Sequence, residues 1–169
     1  MSTSTISMIV AMGENHVIGA DGGMPWRLRD DLVHFMRTTK HHPVIMGRAT
    51  YESLDGPLKD RTNIVMTRQS GGSYPDGVLV AGSLDAALEL AATSPGSEEI
   101  FIAGGGTIYE QSMDRAHRLY LTLVHARPDG DTRFPEFDLR DWNRVSESHQ
   151  EADDRNSSAF TILILERSA

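Results

Sequence analysis

The chain is 169 residues long, contains no cysteine and carries a formal net charge of −8. That length suits one domain, residues 1–169, with a core that needs neither disulfide nor structural metal, and the missing cysteine excludes thiolate metal sites and a cysteine nucleophile. The acidic balance excludes broad binding to nucleic acid or anionic lipid, so an anionic small ligand must find a local basic cluster. Met1 to Thr5 lacks the basic start and apolar run of a secretion signal. No apolar stretch is long enough to cross a bilayer, and a cysteine-free chain fits the cytoplasm.

In chain order, Ile6 to Met12 reads as a buried strand and Gly13 to Gly23, rich in Gly, Asn and Asp, as a long loop. A helix is predicted from Leu28 to about His41, a second buried strand over Val44 to Met46, and a short helix over Thr50 to Leu54. Asn63 to Thr67 reads as a strand, the stretch marked by Gly71, Gly72, Pro75 and Gly77 as a surface loop, and Val78 to Ala81 as a further strand. Ser83 is placed to cap a helix running to about Ala92, with Asp85 favoured in its first turn. The strand Ile100 to Ala103, three glycines, a helix from Thr107 to Arg115 and the strand Leu119 to Val124 follow. Arg144 to Arg167 reads as two long strands around a turn near Asp154 to Ser158. Strands alternating with helices, then a closing hairpin, predict an α/β fold with a largely parallel sheet and an antiparallel edge.

Leu28, Leu32, Phe35 and Met36 recur at helical spacing and form an apolar stripe. Asp31 lies on that stripe, whereas Asp30 falls with His34 and Arg37 on the polar face. A carboxylate against an apolar wall is costly unless paired. Two readings stay open: a first-turn acid favoured by the helix dipole, or a buried carboxylate waiting for a ligand edge with two N–H donors. Gly104, Gly105 and Gly106 join a strand to a helix, where backbone can approach a phosphate. The spacing is not the dinucleotide fingerprint, and a plain tight turn is the alternative. Arg48 and Arg68 follow strands, where ligands of α/β sheets bind, and two such cations suit an extra phosphate. Taken singly, each arginine suits a surface ion pair.

The scattered histidines have no metal-ligand spacing, and neither a hydrolase nucleophile elbow nor a P-loop is present. Trp142 and Phe160 read as packing residues, and Glu151, Asp153 and Asp154 as a solvated turn.

Taken jointly, these motifs resemble dihydrofolate reductase over nearly the whole chain. The segment Ile6 to Met12, Val17-Ile18-Gly19 and Met24-Pro25-Trp26 resemble that family's first strand and active-site loop. Asp30-Asp31-Leu32 with Phe35 resembles its pterin-binding helix, and Pro43 to Arg48 with Thr50 to Ser53 its cofactor segment. Ile102 to Gly106 with Ile108-Tyr109 resembles its glycine motif, and Gly130-Asp131-Thr132 with Phe134-Pro135 its later loop.

The resemblance implies a mostly parallel eight-stranded sheet with an antiparallel C-terminal strand and about four helices. It implies NADPH as cofactor, dihydrofolate as substrate, antifolates as inhibitors, a cytoplasmic monomer and a role in one-carbon metabolism. By the same resemblance Asp31 binds the pterin edge and supports protonation at N5, Thr122 hydrogen-bonds Asp31, Trp26 helps hold an ordered water, and Met24 belongs to a lid latched through Asp131. Ile9, Val10, Ala11, Leu32, Phe35, Leu54, Ala103 and Tyr109 line the substrate pocket, and Arg61 pairs with the glutamate α-carboxylate. Gly47, Arg48, Ala49, Thr50, Thr67 and Arg68 surround the cofactor's ribose phosphate. Gly104, Gly105, Gly106, Thr107 and Ile108 carry its pyrophosphate, and Ala11, Ile18 and Tyr109 flank the nicotinamide.

Three features depart from the family pattern. Ala103 replaces a larger aliphatic residue, Thr107 an arginine of some bacterial members, and Arg27 with Arg29 makes the helix entrance more basic. Two rival readings are a related reductase of flavin biosynthesis and a non-catalytic pteridine- or nucleotide-binding protein. Asp31 with Trp26 and Arg61 argues against the first, and the intact acid and glycine run against the second.

Overall fold

The computed structural model describes residues 4–19, 24–69 and 72–168. The expectations for Met1 to Thr3, for 20–23 of the long loop and for Gly71 lie outside the described residues. The chain runs through β1 (Thr5–Gly13), β2 (Val17–Gly19), α1 (Arg29–Thr39), β3 (Val44–Gly47), α2 (Arg48–Glu52), β4 (Asn63–Met66) and β5 (Leu79–Ala81). It continues through α3 (Leu84–Ala92), β6 (Glu99–Ile102), α4 (Gly106–Ser112), β7 (Arg118–Val124), β8 (Thr132–Arg133), β9 (Trp142–Gln150) and β10 (Phe160–Arg167).

Eight strands form one sheet in the order β5-β4-β3-β6-β1-β7-β10-β9. All adjacent pairs from β5 to β7 are parallel, and β10 runs against both its neighbours. With four α-helices, this is the α/β architecture that the sequence and the resemblance predict. The strand alternation of β1 divides the molecule. Met8, Val10 and Met12 join the large cluster that includes Leu84, Leu88, Ile108 and Tyr109 of α3 and α4. Ile9 faces the other side, with Val44, Met46 and Phe101, against which Phe35 of α1 packs.

Several local expectations hold. Ser83 Oγ accepts the Ala86 N–H at 3.1 Å as the cap of α3. Trp142 and Phe160 are buried. Others need correcting. The long loop contains β2, which pairs with β8 in a separate two-stranded sheet. A three-residue strand carries too little alternation to announce itself, and its partner lies far along the chain.

The apolar stripe of α1 is packed only in part: Leu28, just before the helix, is buried with Val124 and Phe160, and Phe35 lies against the Val44, Met46 and Phe101 cluster, whereas within α1 itself Thr39 alone is buried. Leu32 is 57% exposed, because this face of α1 looks into an open cleft. Asp30 is not on a solvated face either. Its carboxylate accepts from Gln150 Nε2 and from Asn156 Nδ2, and its own N–H donates to Asn156 Oδ1 at 3.1 Å. The Gln150 and Asn156 hydrogen bonds, with Arg155 nearby, hold its carboxyl below the ordinary value.

The acidic turn is solvated as predicted, with Glu151, Asp153 and Asp154 all exposed, and it is also anchored. Asp153 accepts the N–H groups of Arg155 and Asn156, Ser157 N–H donates to Arg27 O at 2.8 Å, and Arg29 N–H to Arg155 O at 3.2 Å. Arg27 itself donates from Nη2 to Asp154 O. Asn156, at 0% exposure, is the centre of this clamp between the β9–β10 turn and the start of α1. Asn156→Ala leaves several buried polar groups unpaired. Thermal denaturation is expected to show a Tm lowered by about 5–10 °C, and an unchanged Tm would refute the clamp.

Candidate active site

The parallel strands all point their C-terminal ends one way, and the crossovers from β1 and β6 leave to opposite sides, one through α1 and the other through α4. A crevice at such a switch point is where an α/β sheet binds ligands. Here it is a cleft of about 1200 Å³.

At its inner end the cleft is floored by Ile9, Val10 and Ala11 of β1, beside Thr122 of β7, which pairs with Ala11 in register. Asp31 projects from the first turn of α1 over this floor, and Thr122 Oγ1 donates to its Oδ1 at 2.6 Å. The cap position of α1 belongs to Leu28, so Asp31 is not spent on capping. Burial raises the Asp31 carboxyl above its ordinary value, opposed by the Thr122 hydroxyl and by nearby His34. His34 is half-buried, tilted on Tyr120, and its Nε2 has no hydrogen-bond partner among the described residues; burial lowers its pKa. Trp26, also lining the cleft, has a buried indole N–H without a partner among the described residues. A buried donor of this kind suits a ligand or an ordered water.

The apolar walls are Phe35, Leu54 and Ala103, with Leu32 and Met24 at the rim; Met24 is 63% exposed. Tyr109 lines the cleft with its ring, while its hydroxyl donates to Ile9 O at 2.7 Å and is pushed up in pKa by burial.

The outer end is built from glycine. Gly47 N–H donates to Gly104 O at 2.8 Å, tying the ends of β3 and β6 together. A Cβ at Gly47 would meet Ile108 Cδ1 at 2.9 Å, and one at Gly104, whose φ is +105°, would meet the Tyr109 ring at 3.0 Å. At Gly105 the only atom within 4 Å of such a Cβ, among the described residues, is Thr50 Oγ1, at 3.6 Å. Gly105 therefore turns bare backbone to the cleft, whereas its two partners are glycine for packing. Gly106, Thr107 and Ile108 continue the lining on one side, with Ala49, Thr50, Thr67, Arg68 and Ile18 on the others. Arg48 at the end of β3 is engaged, its Nε donating to Glu52 Oε1 at 2.6 Å, and this pair holds its pKa up. Asp131 lines the cleft, and its N–H donates to Gly19 O at 3.0 Å.

One predicted site residue stands apart. Arg61 is not on the cleft but on an adjoining groove, which shares Leu32 with it. Its guanidinium is fixed by Met36 O at 3.1 Å, Thr39 Oγ1 at 2.9 Å and Lys59 O at 2.6 Å. Conversely, Met66, Gln69, Gly82 and Gln111 line the cleft without having been singled out. Met66 and Gly82 stand at the C-terminal ends of β4 and β5, and that position was the available signal.

The dihydrofolate reductase family model matches residues 5–167. The chain is 44% identical over 162 residues to the type 3 dihydrofolate reductase of Salmonella typhimurium, covering 96% of this chain and 98% of that one. It is 39% identical to the dihydrofolate reductase of Bacillus subtilis, over 96% and 94% of the two chains. Among solved structures, the dihydrofolate reductase of Enterococcus faecalis, complexed with NADP(H) and RAB-propyl, superposes with a TM-score of 0.88 at 33% identity, over 98% of this chain and 97% of that one. With a family match over nearly its whole length and these relatives, the chain belongs to the dihydrofolate reductase family.

Proposed function

We propose that this chain reduces 7,8-dihydrofolate to 5,6,7,8-tetrahydrofolate with NADPH. The observation that carries the reading is a half-buried carboxylate, Asp31, held by Thr122 at one end of a cleft whose other end is bare glycine backbone. Paired N–H donors on a pterin edge are the partners a half-buried carboxylate of this kind needs.

The outer cleft fits the cofactor. Gly104 to Ile108 would hold the pyrophosphate, Arg48, Thr67 and Arg68 with Gly47, Ala49 and Thr50 the ribose phosphate, and Ala11, Ile18 and Tyr109 the nicotinamide. α4 has only seven residues, so close backbone approach at Gly105 contributes more here than a helix dipole. NADPH, when bound, supplies the hydride for pterin C6.

The chain's own residues orient and desolvate. Asp31 accepts the 2-amino and N3 hydrogens of the pterin, and its charge stabilises the cation formed when N5 gains a proton. Thr122 fixes the carboxylate rotamer. Trp26 offers its unpartnered N–H to the water that delivers the proton. Ile9, Val10, Leu32, Phe35 and Leu54 enclose the ring system, Met24 covers the mouth, and Asp131 latches the segment that begins at Gly19. Arg61, already oriented, takes the α-carboxylate of the glutamate tail. The same reading makes the protein a cytoplasmic monomer that serves one-carbon metabolism. No described helix is long and apolar enough to cross a membrane.

The test compares NADPH oxidation with dihydrofolate and with an aminopyrimidine bearing a ribose phosphate, the substrate type of the flavin-pathway rival. A kcat/KM favouring dihydrofolate by several orders of magnitude supports the reading, and the reverse order overturns it.

Ala103 leaves room on the pterin wall. Ala103→Ile adds three carbons to that wall and is expected to tighten inhibition by diaminopyrimidine antifolates about tenfold. Equal inhibition constants would show that the side chain does not face the inhibitor.

A further inference from the structure

Asp31 and His34 stand one helical turn apart on α1, and Thr122 and Tyr120 stand two residues apart on one face of β7. Asp31 takes the Thr122 hydroxyl, and the His34 ring lies tilted on Tyr120 with centroids 6.5 Å apart. These two pairings, side by side, set His34 next to the Asp31 carboxylate. Asp31 faces the cleft, and His34 is not part of its lining. The charge of Asp31 is answered by the Thr122 hydroxyl and by His34.

The surroundings of the imidazole limit when it can carry a charge. Its Nδ1 shares a hydrogen bond with Thr38 Oγ1 at 3.3 Å, and its Nε2 is buried with no partner among the described residues. An imidazolium has N–H donors at both nitrogens, so one of them would be charged, buried and unanswered. Burial accordingly lowers the pKa of His34, and Asp31 opposes that shift. The other charged groups around the ring are spent elsewhere. Tyr120 gives its hydroxyl to Glu99 Oε2 at 2.9 Å, and Arg118 pairs with Glu99 and Glu166. On α1, Asp30 is held by Gln150 and Asn156, and Arg37 is exposed.

We infer that His34 is a positioning residue for Asp31, which sets from behind the carboxylate how much of its negative charge reaches the pterin. The inference rests on the reading above, in which Asp31 stabilises the pterin cation. With His34 neutral, the whole charge of Asp31 serves the ring. A proton on His34 answers that charge from the helix side, and the N5 cation is then held less strongly. The two protons compete through one carboxylate, and the competition is mutual. The wild type therefore gains less from acid than a chain with no titrating group at this position.

The test has two parts. In the first, NMR follows the His34 ring through a pH series without substrate, in the wild type and in Asp31→Asn, its signal assigned by its loss in His34→Phe. The ring is expected to take up its proton at a lower pH in Asp31→Asn, where the carboxylate that favours the imidazolium is gone. In the second, single-turnover transfer from NADPH to dihydrofolate is measured at about pH 5 and about pH 7, on either side of the ordinary histidine range, in the wild type, His34→Phe and His34→Gln. The ratio of the rate in acid to the rate at neutral pH is expected to be about fivefold larger in both variants, the order for two like charges on either side of a carboxylate in a partly screened site. Phenylalanine keeps the ring on Tyr120 and glutamine keeps a polar group near Thr38, so the same change in both reports the lost charge rather than lost packing. Equal titration of the ring in the wild type and Asp31→Asn, a ring that stays neutral throughout the series, or an unchanged ratio in the variants overturns the inference. The NMR titration needs no turnover, so a ring coupled to Asp31 in a chain that does not reduce dihydrofolate counts against the catalytic reading alone.

Discussion

Asp31→Asn is expected to lower kcat by about 10²–10³ at neutral pH, the range of a lost acid–base or charge-stabilising group, with a smaller change in KM. Asparagine keeps the shape and still accepts from Thr122, yet it brings no negative charge to the pterin cation. The loss should shrink as the pH falls, because substrate protonated in solution no longer needs the help of the carboxylate. A loss confined to KM at every pH would mean that Asp31 only binds.

The same substitution has an opposite effect on the fold. Burial raises the folded-state pKa of Asp31 above its ordinary value of 3.8, so the ionised form is disfavoured by folding. Its contribution to stability is most favourable below that value and is lost as pH rises through the folded pKa. At neutral pH Asp31→Asn relieves a buried charge and should raise Tm by about 2–4 °C, the size expected for ~1 kcal/mol on a chain of this length. In acid below the ordinary carboxylate value the gain should vanish. A variant both less active and less stable at neutral pH would mean that the carboxylate is structural.

Gly105→Ala is expected to raise the Kd for NADPH by about 10–100-fold with little change in Tm. Among the described residues the added Cβ meets only Thr50 Oγ1, at 3.6 Å, so the fold accepts it. A phosphate resting on the backbone has to move away from the new methyl group, and displacement of this kind costs roughly 1–3 kcal/mol. Gly104→Ala is the control. With φ at +105° and the Tyr109 ring 3.0 Å from a Cβ, it should destabilise the fold by about 1–3 kcal/mol. If both variants unfold at the same temperature and both bind NADPH as the wild type does, the cofactor does not lie on this turn.

What could be read in the sequence follows from how far each signal reaches along the chain. The buried apolar run of β1, the cap at Ser83 and the glycine run are local, and the structure has them where the sequence predicts them. Asp31 was visible because a carboxylate on an apolar stripe is an anomaly. Its bond to Thr122 is a 91-residue contact, known beforehand only through the family resemblance. Asp30 carried no anomaly. On the helical wheel it sits with charged residues, and its true partners Gln150 and Asn156 come from the hairpin 120 and 126 residues away. The exposure of Leu32 was hidden for a different reason. Periodicity identifies an apolar face but cannot say whether a core or an empty cleft lies opposite. Only the family resemblance puts Arg61 in the binding site, and the structure sets it one groove further out, among cations whose convergence on α1 and the segment before β4 no local pattern announces.

The central claim is tested most directly by single-turnover transfer from NADPH to dihydrofolate, followed by the loss of NADPH absorbance across a pH series in the wild type and in Asp31→Asn. The account predicts fast transfer in the wild type that requires dihydrofolate, and a variant that is slow at neutral pH and approaches the wild type in acid. Identical rates in the two proteins across the series, or oxidation of NADPH without dihydrofolate, would contradict it.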